Sequence, residues 1–332
     1  MSNIVKWGII GTGRIAHKFA SDLQLVEHAK LIAVASRNQE TANQFAAEFN
    51  MDKSYGSYED LAKDTEVDAV YIATPHVFHY ANAILCLENH KAVLCEKPFA
   101  MNGKQVAGMI ATARKNNVFL MEALWSRFIP HYQQLMSMLE DKVIGEVLAV
   151  HADFGFKLQD NAPQRLTDIA LGGGTLLDIG IYNVFFVLSI LGRPDNIDAA
   201  IKKAANGIDE QCSVTFTYQN GSVAHLFSSF NATIPVELQI FGSKANIKLT
   251  HRFYEPSSTI LLSDASGIHY HPVPVERGKG IGYAYEATHM TDCLLNGLKE
   301  SPLMQFADSI LLIETLDQIR SKAGLVYPQD NE

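Results

Sequence analysis

The sequence predicts an α/β chain of two domains. The first, residues 1–123, is a doubly wound parallel sheet; the second, residues 124–332, is an α+β domain with a large, mostly antiparallel open sheet. Three observations carry this. The chain has 332 residues, and a domain usually holds about 100–200. Its first third alternates short apolar runs with helical segments, as a parallel sheet with right-handed crossovers requires. Further on, apolar runs follow one another across short turns, the pattern of antiparallel strands.

In order, Val5–Ile10 is an apolar run that meets Gly11-Thr12-Gly13 and a helical segment from Arg14. Leu31–Ala35 is the next strand, and residues 40–49 form a helix with Ala42, Phe45, Ala46 and Phe49 on one side. Val67–Ala73 and Ala92–Cys95 are strands separated by a helix from about 77 to 89. A helix over Gly103–Asn116 leads to Val118–Met121. After a helix near 128–139, alternation marks His151–Phe156, and strands follow at 197–203, 211–218, 222–231, 236–241 and 246–250. Gln219-Asn220-Gly221 and Gly242-Ser243 supply turns between them. Helices near 283–299 and 306–322 end the chain.

Residues 169–192 carry one charge, Asp178. That stretch is long enough to cross a bilayer. Gly172-Gly173-Gly174 opens it, however, and a lone aspartate at mid-membrane is costly. The expectation is a buried helix over 175–191 that covers one face of the second sheet.

Composition narrows the function. With 47% apolar and 19% charged residues, the chain is too apolar for disorder. Lys+Arg number 27 against Asp+Glu 36, a net charge of −9. Such a balance disfavours nucleic acid and anionic membranes as partners. The four cysteines, Cys86, Cys95, Cys212 and Cys293, form neither a C-x-x-C pair nor a disulfide framework, so a reducing, cytoplasmic setting is expected.

Gly11-Thr12-Gly13-Arg14-Ile15-Ala16 is a G-x-G-x-x-A loop between a strand and a helix. Its first glycine allows a tight turn, its second admits a pyrophosphate to the backbone, and Ala16 lets helix and strand pack closely. This is the Rossmann arrangement, and it points to a dinucleotide. An acidic residue about 20 positions on would hold a ribose 2′-hydroxyl. Here the second strand ends Ser36-Arg37-Asn38. Arg37 and Ser36 suit a 2′-phosphate, so NADP(H) is expected over NAD(H).

In an open α/β sheet, ligands sit beyond the carboxyl ends of the strands. Thr74, Pro75 and His79 lie there after the fourth strand, and Glu96, Lys97 and Pro98 after the fifth. Lys97 is a cation at a strand end with proline fixing the chain behind it. In the second half, Asp178 and Tyr182 stand four apart on the apolar helix and so share a face. A carboxylate there needs a partner, and a lysine from the first domain would satisfy it. Trp125, Phe154 and Phe156 are aromatics near the expected junction. Trp125 and Phe154 are candidate walls of a substrate pocket, with ordinary core packing the alternative.

Taken together, G-x-G-x-x-A, Thr-Pro-x-x-x-His, Glu-Lys-Pro and Gly-Gly-Gly-x-x-x-Asp-x-Gly resemble the glucose–fructose oxidoreductase / inositol dehydrogenase / rhizopine-catabolism (Gfo/Idh/MocA) family over most of the chain. Ser36-Arg37, Glu122–Phe128 and Asp178–Tyr182 are similar to its dimeric dihydrodiol dehydrogenase and NADP-linked D-xylose dehydrogenase branch. Most members carry His where this chain has Tyr182, which counts against inositol-type substrates. The resemblance implies NADP-dependent hydride transfer at a secondary alcohol or sugar C1. It also implies joint action of Lys97 and Tyr182, a cis Lys97–Pro98 bond and a homodimer through the C-terminal sheet.

On this reading Tyr182 is the general acid/base, Lys97 its electrostatic partner and Asp178 the residue that orients them. Nicotinamide would be held near Pro75 and His79. Two rivals are a reductase of a conjugated double bond, of the biliverdin-reductase kind, and a non-catalytic NADP-sensing regulator.

Other patterns are set aside. His269 and His271 share a strand face without a third metal ligand. Glu286-x-x-His289 lacks the second copy that a di-iron site needs. Cys95 lies inside a strand and is expected to be core. No metal is expected.

Overall fold

The computed structural model describes residues 4–271 and 280–331. The chain divides into two compact units. One comprises Met1–Phe128 and Glu276–Ile310, the other Ile129–Val275 and Leu311–Glu332. This differs from a single boundary at 123, because the chain returns to its first unit late.

In the first unit, β1 (Val5–Ile10), β2 (Ala29–Ala35), β3 (Lys53–Tyr55), β4 (Ala69–Ile72), β5 (Ala92–Glu96) and β6 (Leu120–Ala123) form a sheet of order β3-β2-β1-β4-β5-β6. All its pairs are parallel. The connecting helices are α1 (Arg14–Leu23), α2 (Gln39–Glu48), α3 (Tyr58–Lys63), α4 (His79–Glu88) and α5 (Gly103–Asn116). Helices on both faces bury the strands from both sides, so β4 has no exposed residue. Local chemistry sets the helix ends. Asn102 caps α5 through the Gln105 N–H, Asn117 ends it at φ 53°, and Arg114 and Lys115 complement its dipole. The strand order reverses between β1 and β4, which opens a crevice at their carboxyl ends.

In the second unit, α6 (Pro130–Glu140) precedes β7 (Val147–Gly155), α7 (Gln164–Thr167) and α8 (Ile181–Leu191). There follow β8 (Asn196–Lys203), β9 (Asp209–Thr217), β10 (Val223–Ser229), β11 (Leu238–Gly242), β12 (Asn246–Leu249), β13 (Ile260–Asp264) and β14 (Gly267–His271). The sheet runs β14-β13-β12-β11-β7-β10-β9-β8. It is antiparallel except at β7–β10, which pair in parallel. The helical crossover between those two strands permits that pairing.

α8 packs on β7 and β10, over alternating inward residues such as Val150, Ala152, Ala224 and Leu226. Residues 169–191 are apolar and long enough to span a membrane by composition, but 83% of the most apolar window is buried. The expected helix over 175–191 is broken into a π-helical turn, Leu176–Gly180, followed by α8.

The last two helices are α9 (Tyr283–Leu295) and α10 (Phe306–Ala323). α9 packs against α1 and β1 with Ala284, Ala287 and Met290 fully buried. That apolar stripe is why 276–310 belongs to the first unit.

Candidate active site

In the first unit, β1 runs into the glycine loop. Gly11 has φ +101°, and a Cβ there would lie 2.9 Å from the Ala73 carbonyl oxygen. The ends of β1 and β4 therefore approach so closely that only glycine fits. At Gly13 an added Cβ would meet nothing within 4 Å. Gly13 is also the N-cap of α1, without a side-chain cap bond and without an acid in the first turn. Open space thus faces the positive end of α1, with Thr12, Gly13 and Arg14 at its rim and Ala16 buried beneath. That cradle fits a pyrophosphate.

Beyond β2, the Ser36 N–H donates to Tyr55 O at 3.0 Å, and Asn38 caps α2 by accepting the Thr41 N–H at 3.0 Å. Arg37 lies exposed between them, its guanidinium carbon 5.7 Å from the centre of the Phe78 ring. Among the described residues no carboxylate forms an ion pair with Arg37.

At the end of β4, Thr74 accepts from Asn82 at 3.1 Å. His79, expected beside nicotinamide, is fully buried. Its ring nitrogens lie 2.8 Å from the carbonyl oxygens of Pro98 and Thr74, so it straps the ends of β4 and β5 together. Burial pulls its pKa down, against the two carbonyls; the Lys97 charge lowers it further.

The Lys97–Pro98 peptide is cis. Buried Glu96 accepts the Tyr71 hydroxyl and, at 3.1 Å, the Lys97 N–H. Glu122 on β6 accepts the Phe99 N–H at 3.1 Å and so fixes the chain just past Pro98. Burial pushes the Glu122 carboxyl up to about 7, against a hydrogen bond from Ser309. Cys95 is a core residue whose thiol is pushed well up by burial.

Trp125 stacks on Tyr283, with ring centres 4.5 Å apart and planes 5° from parallel. Tyr283 begins α9, and the Asp22 carboxylate of α1 accepts the backbone N–H groups of Ile281, Gly282, Tyr283 and Ala284.

In the second unit, Asp178 lies in the π turn and Tyr182 in the first turn of α8, both buried. Asp178 accepts from Arg165 of α7 at 2.7 Å, so the carboxylate has a cationic partner nearer in sequence than the expected lysine. The π turn is held in place by Asp209 of β9. One of its carboxylate oxygens accepts the Thr175 hydroxyl at 2.6 Å and the Leu176 N–H at 2.7 Å. Burial pushes the Asp209 carboxyl up to about 6.

The Tyr182 ring centre is 4.8 Å from that of Tyr254 and 5.9 Å from that of Phe154, and Phe154 stacks on Tyr254 at 4.5 Å. These three rings form one aromatic wall. Burial raises the Tyr254 phenol to about 12 despite Arg252 beside it. Phe156 packs instead on Phe230, at 5.3 Å.

Asp22, Arg165, Asp209 and Tyr254 are not singled out by the sequence, and Glu122 only as part of the stretch Glu122–Phe128. Apart from Arg165 with Asp178 and Arg252 with Tyr254, their partners lie more than 20 residues away, beyond any local pattern. Among the described residues no group of three His, Cys, Asp or Glu could hold a metal ion. Glu286 is buried, its carboxyl pushed well up by burial and then by Glu96, while His289 bonds Ser301 at 2.7 Å.

The sequence profile of the Gfo/Idh/MocA oxidoreductase family with an NAD-binding Rossmann fold matches residues 5–124, and its C-terminal-domain profile matches residues 132–248. The chain belongs to the Gfo/Idh/MocA family. As a member it is an oxidoreductase whose first unit binds a nicotinamide dinucleotide and whose reactant is a small molecule.

Among relatives of this Gfo/Idh/MocA protein, trans-1,2-dihydrobenzene-1,2-diol dehydrogenase of Xenopus tropicalis is 41% identical over 97% of this chain and 99% of its own length. The Bos taurus protein of the same name is 36% identical over 98% and 99%. Aldose–aldose oxidoreductase of Caulobacter crescentus, solved with glycerol, superposes with a TM-score of 0.88 at 21% identity over 97% of this chain and 98% of that one. A 3-ketoreductase of Actinomadura kijaniata, solved with TDP-benzene and NADP, has a TM-score of 0.85 at 24% identity over 96% and 98%.

Proposed function

We propose that this protein is an NADP(H)-dependent dehydrogenase acting on a secondary alcohol of a small sugar or cyclic diol. The observation that carries the cofactor preference is Arg37: a cation that pairs with no carboxylate among the described residues stands where an NAD-binding loop would present an acid. The aromatic wall of Phe154, Tyr182 and Tyr254 supports a substrate with a flat ring face. The names of the Xenopus and Bos relatives agree with a cyclic diol, and the Caulobacter enzyme's name with a sugar.

When bound, the nicotinamide accepts or returns a hydride. The chain's own residues then have to manage the proton and the geometry. Tyr182 takes the hydroxyl proton of the alcohol as hydride leaves the same carbon. An unperturbed phenol has a pKa of about 10, and lowering it about three units requires roughly 4 kcal/mol of preferential phenolate stabilisation. On this proposal the Lys97 ammonium supplies much of that stabilisation. Asp178, held by Arg165, orients the pair, and Trp125 and Phe154 line the substrate. Solved forms of the Actinomadura 3-ketoreductase carry a lysine-to-alanine and a tyrosine-to-phenylalanine substitution, the two side-chain types assigned here. The proposal includes a homodimer through the open face of the second sheet, where Ile268 and Tyr270 are exposed.

The test is turnover of NADP⁺ with pentoses, hexoses and trans-cyclic diols by the parent, Tyr182→Phe and Lys97→Met. A fall in kcat of about a hundredfold or more is expected for Tyr182→Phe. Near-normal turnover with a displaced pH profile would transfer the proton to Lys97. Full activity of Lys97→Met would overturn the assignment. NADPH binding without turnover of any substrate would favour the regulator.

A further inference from the structure

Arg37 is held in an unusual way for a surface arginine. It leaves the end of β2 exposed, yet its guanidinium is flanked by side chains from two other elements. One is Phe78, in the short 3₁₀ turn His76–Phe78 that follows β4. This phenylalanine is 38% exposed, in a residue type usually found inside. The other is Tyr58, the first residue of α3, set by the Ser57 cap that accepts the Asp60 N–H at 3.2 Å and within hydrogen-bond reach of Arg37. The Tyr58 phenol is half-buried, and Arg37 lies close enough to draw its pKa down while burial raises it more strongly.

Both neighbours are uncharged at neutral pH. They restrain the guanidinium without neutralising it, whereas a carboxylate in either place would cancel its charge. Glu59, next to Tyr58, is exposed. An arginine stacked on a ring and set against a phenol loses less side-chain freedom when it grips a ligand. Its fork keeps free N–H groups for a dianion. The exposed Phe78 ring offers a purine a surface to lie against.

We propose that Tyr58 and Phe78 are specificity-determining residues, which hold Arg37 ready for a phosphomonoester on the ribose of an adenine nucleotide. This rests on the NADP(H) reading and deepens it. Preference for the phosphorylated cofactor is then a property of three elements (β2, α3 and the turn after β4), not of Arg37 alone.

The experiment is calorimetric titration of the full-length protein with adenosine 2′,5′-bisphosphate and with adenosine 5′-monophosphate, a readout independent of turnover. Parent protein, Arg37→Ala, Tyr58→Phe, Phe78→Leu and Phe78→Tyr are compared, with thermal unfolding as a check of folding. The parent is expected to bind the bisphosphate at least tenfold more tightly. Arg37→Ala should abolish that ratio. Tyr58→Phe and Phe78→Leu should each reduce it about three- to tenfold with monophosphate affinity within twofold, and Phe78→Tyr should restore it.

A parent that does not discriminate between the nucleotides would refute the NADP(H) reading itself. If Arg37→Ala abolishes the ratio but Tyr58→Phe and Phe78→Leu leave it unchanged, that reading stands and the inference fails. Equal weakening of both nucleotides would likewise overturn it, since the two residues would then serve the nucleoside and not Arg37.

Discussion

The Asp22 carboxylate accepts the backbone N–H of Tyr283 at 2.8 Å across 261 residues of sequence. The same oxygen takes the Gly282 N–H at 2.9 Å. A side chain of α1, the helix that begins at the glycine loop, therefore caps α9 from outside. The first residue of that capped helix is the one whose ring stacks on Trp125.

Removal of the cap should be felt at both ends of this connection. Asp22→Ala leaves buried N–H groups without their acceptor, and a loss of about 2 kcal/mol is expected in urea unfolding. Asp22→Asn keeps one acceptor oxygen and should lose less. The chain has two tryptophans, and Trp7 is fully buried, so a red shift of emission in Asp22→Ala would report loosening around Trp125. Unchanged emission together with a loss below about 0.5 kcal/mol would contradict this account.

Arg165 is expected to matter for turnover more than for stability. Its side chain is partly exposed, so solvent screens the ion pair and weakens its contribution to folding. Arg165→Ala should reduce kcat/KM about tenfold, and Arg165→Lys should fall between, because an ammonium lacks the guanidinium fork. Parent-like kinetics in Arg165→Ala would remove Asp178 from the orienting role.

Asp209 holds the start of the segment that carries Asp178 and Tyr182. In Asp209→Ala the Thr175 hydroxyl and Leu176 N–H both lose their acceptor inside the core. The expected cost is about 2–3 kcal/mol, with a fall in kcat as the π turn relaxes. Equilibrium unfolding and kinetics on the same preparation check both. A fully stable variant with normal kcat would show that the turn holds itself.

Glu122 sets a pH dependence. Its carboxyl is raised to about 7 in the fold, against about 4.3 in an unfolded chain. Between those values the folded state binds more protons than the unfolded state. The stability from this group is therefore complete below about pH 4.3 and is lost as pH rises through about 7, by up to roughly 4 kcal/mol. Glu122→Gln does not titrate. Its stability relative to the parent should improve from pH 5 to pH 8. Stability curves that run parallel over that range would exclude the effect.

The sequence was most legible where structure is local. β1 and α5 begin and end where their apolar pattern and caps put them, and the glycine loop sits between a strand and a helix as its spacing requires. β3 and α3 left no readable trace. β3 is a three-residue strand with a lysine in it, and α3 has six residues, too few to display a period. Tyr58 was therefore invisible as a neighbour of Arg37.

The helix over 175–191 was legible as apolar and buried, but not its π turn, which depends on Asp209 from another element. The placement of 276–310 was likewise illegible: nothing within those residues announces that their cap is Asp22. Arg165 was overlooked for a different reason. It lies only 13 residues before Asp178, in a polar stretch without periodicity.

The late return of the chain also constrains how the protein is made. At about 5–20 residues per second, the ribosome takes roughly 10–40 s to travel from residue 128 to residue 310. Throughout that interval the nascent nucleotide-binding unit has its six strands but not α9. The apolar surface of α1 and β1 that α9 covers therefore waits for its partner until synthesis has passed residue 295, long after the strands beneath it are made.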